Sequence, residues 1–140
     1  MQQTNVLAIL ELLVSTLASL GFCHLLGDYT HLSTSQMLSA KRFGTPLFPI
    51  FVHAMVHTLL MGYALKFLGF DDWVILKMMA LQCISHFLID VLKGKMNKWF
   101  PSVQSPVNKW HWVIFGIDQY MHYLVIVYMS VYCVYSNYNI

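Results

Sequence analysis

Four long apolar segments in this chain each carry a pair of ionisable side chains four residues apart. The pairs are His24 with Asp28, His53 with His57, His86 with Asp90, and Asp118 with His122. A spacing of four places both members of a pair on one face of an α-helix. The first and third pairs lie toward the C-terminal ends of their segments, the second and fourth toward the N-terminal ends. If the segments run alternately up and down, all four pairs come to one level. Such groups are costly at membrane depth, at about 2.5–3.5 kcal/mol for an unpaired aspartate. Few arrangements make them tolerable, and a shared site is the first to consider.

Composition sets the surroundings. Hydrophobic residues make up 58% of the 140 positions and charged residues 10%, and the mean hydropathy is +0.59. Soluble domains run near 45–50% apolar and about 25% charged. The expected class is therefore all-α, a four-transmembrane-helix up-down bundle. Residues 1–140 form a single integral membrane domain with no room for a soluble module. The spans are predicted at about Asn5–Leu26, Leu47–Phe70, Trp73–Leu92 and Trp112–Tyr135, near the roughly 20 residues a crossing needs. Met1 to Asn5 lacks the basic start of a signal peptide, so the first segment reads as retained.

A net charge of +2, with no basic stripe, excludes nucleic acid as a partner. The expected partners are the lipid bilayer and an anionic or lipid substrate, and a homo-oligomer is compatible with the pattern. Cys23, Cys83 and Cys133 each fall in an apolar segment, without a C-x-x-C, and read as reduced core residues.

The loops 27–46 and 93–111 hold Lys41, Arg42, Lys93, Lys95, Lys98 and Lys109, while Lys66 and Lys77 flank the acidic turn between the second and third segments. The positive-inside rule makes those two loops cytoplasmic. Trp99, Trp110 and Trp112 suit the interfacial aromatic belt, and the tyrosines from Tyr120 to Tyr138 suit packing and anchoring. Glu11 lies about 20 Å along its helix from His24, at 1.5 Å per residue. With Ser15 and Ser19 it is expected to line a helix interface.

Imidazole mixed with carboxylate suits a divalent transition metal, zinc or manganese first, as one or two ions. The candidate ligands are His24, Asp28, His53, His57, His86, Asp90, Asp118 and His122. In helical bundles such groups project inward from facing helices and share carboxylates between ions. His86 with Asp90, and His122 with Asp118, also fit a ligand and its orienting partner. His53 is the weaker half of its pair. His31 and His111 read as surface groups. Lys93, three residues after Asp90, either holds an anion or snorkels to the interface. Gln119 either meets a ligand or pairs between helices.

The strings His24-Leu-Leu-Gly-Asp28, His53-Ala-Met-Val-His57, His86-Phe-Leu-Ile-Asp90-Val-Leu-Lys93 and Asp118-Gln-Tyr-Met-His122 resemble a family of small bacterial and phage membrane proteins, the domain of unknown function 3307. The resemblance runs from about His24 to His122. Leu32 stands where the family pattern often has glutamine. The family is similar in turn to small proteins described as predicted membrane-bound metal-dependent hydrolases. That resemblance implies hydrolysis of a phosphoester or lipid-derived substrate at the cytoplasmic membrane face.

In the hydrolase reading the metal makes water nucleophilic near neutral pH. Lys93 holds the anion, and whichever of Asp28, Asp90 or Asp118 is not a ligand acts as general base. Two other classes compete. A metal-ion or proton transporter needs polar groups continuing across the membrane. A structural or regulatory protein with a stabilising metal needs a closed coordination sphere.

Overall fold

The computed structural model describes residues 2–138, with side chains from residue 6 onward. The leader reading of Met1 to Asn5 lies outside the described side chains. The chain is all-helical over the described residues. Helix α1 spans Gln2–Tyr29, α2 Ser35–Phe43, α3 Leu47–Phe67, α4 Asp72–Trp99 and α5 Lys109–Tyr138, with a 3-10 turn at Pro101–Gln104. Helix α1 packs on α3, α3 on α4, α4 on α5, and α5 returns to α1.

Among the described residues, three helices are long and apolar enough to cross a membrane: Val6–Tyr29 within α1, Leu47–Phe67 and Asp72–Trp99. Helix α5 matches them in length at 30 residues but is not among them, so four spans are not established. Six tyrosines lower its hydropathy, and most of them are exposed.

Local signals explain the helix ends. Gly69, at φ 84°, closes α3 in a left-handed cap. Phe70 N–H donates to Leu65 O at 3.2 Å and Gly69 N–H to Lys66 O at 3.0 Å, the paired bonds of a Schellman end. The Asp71 carboxylate then accepts from Trp73 N–H at 2.8 Å and starts α4. The turn 68–71 is as short as the sequence requires.

Two segments depart from expectation. The loop 27–46 is not a polar surface loop, because α2 folds within it. Thr34 Oγ1 caps its start by accepting from Met37 N–H at 3.3 Å, and Gly44 ends it at φ 67°. The loop 93–111 begins seven residues late, because α4 runs on to Trp99. At 28 residues, α4 is roughly 42 Å long at 1.5 Å per residue. That exceeds the roughly 30 Å hydrocarbon thickness, and its last turns are where α2 packs.

The seat of α2 on α4 is backbone against backbone. A Cβ on Gly94 would collide with the Gly44 backbone, and one on Gly44 would come within 2.9 Å of both Lys95 N and Val91 O. Asn97 Nδ2 then donates to Arg42 O at 3.0 Å. The buried face of α2 and its cap carries Ala40, Lys41 and Gly44, with Met37 half-buried.

Below the polar pairs, the bundle is filled by an apolar cluster that includes Leu20, Met61, Leu65, Met78, Ile126, Met129 and Cys133. The three cysteines are free. Thr16, not Ser15, is the buried polar residue of this part of α1, and its hydroxyl donates to Leu12 O at 2.7 Å. Glu11 and Ser15 are exposed, against the expected interface role, because they share the outward side of α1 with Val14. Trp99, Trp110 and Trp112 are exposed, as an interfacial belt would require.

Replacing Gly94 with valine should lift α2 off α4. Overpacking of this kind costs about 1–3 kcal/mol. Lys41, protected in the parent protein, should become reactive to amine-modifying reagents in G94V; an unchanged labelling rate would mean that α2 is seated by something else.

Candidate metal centre

The four pairs converge on one layer. The rings of His24, His57, His86 and His122 pack together, with centroids 4.0 Å apart for His57 and His86 and 4.2 Å for His86 and His122. Helix α1 brings His24 and Asp28, α3 brings His53 and His57, α4 brings His86 and Asp90, and α5 brings Asp118 and His122. Gly27 allows the close approach of α3, since a Cβ there would collide with the His57 ring.

Two overlapping sets of side chains could each hold a metal ion. Asp28, His53, His57 and His86 offer ligand atoms all within 4.8 Å of one another, and so do His86, Asp90 and His122. His86 belongs to both. His24 flanks the first set, with Nε2 3.5 Å from Asp28 Oδ2. Asp118 lies at the edge of the layer and in neither set. His53, the weaker candidate from sequence, is fully buried at the centre.

Hydrogen bonding on the outer side of each ring decides what its inner nitrogen presents. Ser33 Oγ lies 2.6 Å from Gly27 O and 3.0 Å from His53 Nδ1. A carbonyl only accepts, so the serine proton goes to Gly27 and the serine oxygen accepts from His53 Nδ1–H. A neutral His53 then carries its lone pair on Nε2. His122 Nδ1 donates to Asp118 O at 2.8 Å, which leaves its Nε2 as a lone pair too. Gln82 Nε2–H donates to His86 Nδ1 at 3.2 Å, so a neutral His86 carries its proton on Nε2.

These inner nitrogens face carboxylates. His53 Nε2 is 3.1 Å and His57 Nε2 3.4 Å from Asp28 Oδ1. His86 Nε2 is 3.4 Å from Asp90 Oδ2, and His122 Nε2 is 3.8 Å from Asp90 Oδ1. For His53 and His122, lone pair against carboxylate is repulsive unless a cation lies between them. Both ring nitrogens of His24 and of His57, Nε2 of His86 and of His122, and both Asp90 oxygens are buried without a hydrogen-bond partner among the described residues. Buried polar atoms are nearly always partnered. So many orphans converging in one layer, with the donor chemistry of imidazole and carboxylate, fit a divalent transition metal.

One cation is already present, and the sequence reading missed it. Lys41 reaches in from α2. Its Nζ donates to Asp28 Oδ1 at 2.8 Å, lies 2.9 Å from His53 Nε2 and sits 3.3 Å from Asp90 Oδ1. Burial opposes its charge, but Asp90 and Asp28 outweigh that and hold the ammonium above its usual range. A single ammonium cannot balance both carboxylates. By sequence Lys41 belongs with the loop cations that set the topology, and its burial removes it from that count. A signal for it exists: Met37, Ala40, Lys41 and Gly44 follow the spacing of one helix face, between a capping threonine and a terminating glycine.

Above the layer lies a cavity of about 500 Å³. Lys41, Arg42, Lys93 and His111 line it, with Asp28, Asp118 and Gln119 on the wall shared with the layer. Lys93 therefore faces the cavity. Gln119 Nε2 bridges Asp118 Oδ2 at 3.1 Å and Asp28 Oδ2 at 3.5 Å. His111 is half-buried on the rim, with Nδ1 donating to Val103 O at 2.9 Å, where a surface group was expected. His31 is exposed, as expected.

Exchanging Asp90 for asparagine removes one charge and keeps the shape. Metal affinity, measured by titration of chelator-stripped protein, should fall by about 10–100-fold. Unchanged affinity would remove Asp90 from the centre.

No curated protein and no solved structure matches the chain. A family described as protein of unknown function (DUF3307) matches residues 16–140, a stretch that includes all four pairs, Lys41 and the cavity walls. The chain belongs to that family.

Proposed function

We propose that this protein is a membrane-embedded, metal-dependent hydrolase of phosphoester or lipid-derived substrates, with α5 as a fourth span. The observation that carries the reading is the juxtaposition of the orphaned histidine–aspartate layer with a cavity lined by Lys41, Arg42 and Lys93. Asp28, His53, His57 and His86 would hold one ion, and Asp90 and His122, sharing His86, a second. Zinc and manganese suit this donor set best. When bound, such an ion would acidify water and polarise a phosphoryl oxygen.

The chain's own residues supply the rest. Lys93 and Arg42 attract and hold an anion at the cavity wall. Lys41 keeps Asp28 turned toward the layer through its 2.8 Å hydrogen bond. Asp118 is the best-placed general base, because it lines the cavity, stands outside both ligand sets and has an unpartnered Oδ1. It takes the proton of the attacking water as the water oxygen bonds to phosphorus. The ester oxygen departs with its electron pair and is protonated from the cavity.

The transport reading has less support. The polar layer gives way to the cluster of Leu20, Met61, Leu65, Ile126 and Met129, and a conduit would need polar groups through that region. The stabilising-metal reading has no use for a cationic cavity beside the layer.

With zinc or manganese, purified protein should turn over either a phosphoester or an acyl-ester lipid, and Asp118→Asn should lower the rate by about 10²–10⁴-fold, the usual contribution of a general base. Stoichiometric metal with no turnover of either class would favour the structural reading.

Sidedness follows from charge. With Lys41 buried, Arg42, Lys93, Lys95, Lys98 and Lys109 still oppose Lys66 and Lys77, which favours a cytoplasmic cavity in a bacterial inner membrane. Single cysteines at Ser102 and Asp72 should label from opposite sides; labelling of Ser102 from outside intact cells would reverse the orientation.

A further inference from the structure

The cationic cavity does not end at its polar walls. A second, smaller groove of about 90 Å³ runs between α4 and α5. Lys93, Ile114 and Asp118 line both spaces. The groove is built from two matched stripes. Ile89, Leu92, Lys93 and Met96 lie on one face of α4, and Ile114, Ile117, Asp118 and Met121 on one face of α5, each at the i, i+3, i+4, i+7 spacing of a helix face. Apart from Lys93 and Asp118 the lining is wholly apolar. Leu92, Ile117 and Met121 are about half exposed, at 55%, 56% and 44%, so the groove opens on the outer surface of the bundle. In a membrane that surface is lipid.

A polar chamber that attracts an anion and an apolar channel open to lipid therefore share one wall. A molecule filling both must be amphiphilic, with an anionic head and an alkyl tail. We infer that the substrate is a membrane lipid with a phosphate head, its phosphate held by Lys93 and Arg42 in the cavity and one acyl chain lying in the groove between α4 and α5. Charge argues for phosphate: Lys41 is held by Asp28, but Arg42 and Lys93 also line the chamber, and ammonium and guanidinium groups recognise phosphate oxygens by charge-assisted hydrogen bonds. Geometry argues for a lipid over a soluble ester. Lys93 stands where the two spaces meet, so a head held there has its tail directed into the apolar stripe and not into water. The substrate would enter sideways from the bilayer, without leaving it.

The inference rests on the hydrolase reading, but its test does not require turnover. The full chain is reconstituted in vesicles with chelator present. It is then offered phosphatidic acid carrying a photoactivatable group on one acyl chain, or diacylglycerol with the same chain. The phosphatidic acid probe should crosslink to Leu92, Met96, Ile117 and Met121. The neutral probe should label the lipid-facing surfaces evenly. Lys93→Gln should reduce groove labelling about tenfold, the factor expected from one charge-assisted hydrogen bond. Ile117→Trp, an outward position that tolerates a larger side chain, should block the groove while leaving the chamber intact.

Equal groove labelling by the two probes would overturn the proposal, as would labelling that Ile117→Trp leaves unchanged. Protection of Lys93 from amine reagents by inorganic phosphate, with no groove labelling by phosphatidic acid, would also overturn it and assign the chamber to a soluble anion. Head-dependent groove labelling without metal-stimulated turnover would support the lipid as the ligand of the cavity and groove and remove hydrolysis.

Discussion

Asp28 and Asp90 are buried within a few ångströms of each other's partners, and most of the architecture answers that fact. Two carboxylates in an apolar bundle must be matched by cationic charge and hydrogen bonds or the fold does not persist. The protein meets part of this demand with Lys41, whose amine touches Asp28 and His53 and lies beside Asp90. Delivering a lysine to that depth requires α2 to fold back onto the ends of α3 and α4. That in turn requires the backbone contact of Gly44 with Gly94 and the helix-capping geometry of Thr34 and Gly44. Removing one partner from such a buried ion pair costs about 3–5 kcal/mol, so the lid and the centre stabilise each other.

The rest of the demand finds no partner among the described residues. Ser33, Gln82 and the Asp118 carbonyl hold the outer edges of His53, His86 and His122. They thereby fix the three rings, and leave the inner Nε2 of His53 and of His122 as lone pairs facing carboxylates that cannot donate to them. Fixing a histidine from behind is how proteins prepare it as a ligand. The contact at His122 would be unfavourable in a purely structural network, where the imidazole would turn its N–H toward the carboxylate. The bundle is thus divided in two. One half is an ordinary apolar core, and the other is a layer of imidazoles and carboxylates with a cationic chamber above and an apolar groove at its side.

Much of this was legible from residue order. The i, i+4 pairs and their alternation between segment ends require a common level in any antiparallel arrangement, and the four pairs do converge. Apolar length alone marked α1, α3 and α4 as able to cross a membrane, with boundaries shifted by a few residues because helices extend past the apolar run when tertiary contacts cover them. The run of α4 to Trp99 is one case: Gly94 and Asn97 carry no membrane signal but are buried by α2. Helix α5 has the length of a span, yet its tyrosines hold its hydropathy below that of the others.

The sequence by itself determined that this is an all-helical, membrane-type chain with histidine and aspartate gathered at one level, because helix period and apolar length are local properties. Only the tertiary structure decided that Lys41 belongs to the centre, that Asp118 stands at the cavity wall outside the ligand sets, and that His53 is central. Those roles depend on where a nine-residue helix and four long ones cross, and crossings are set by side-chain packing and glycine clearances between residues far apart in the chain. A lysine next to an arginine in a polar stretch looks like a surface cation until the backbone of Gly44 is seen resting on Gly94.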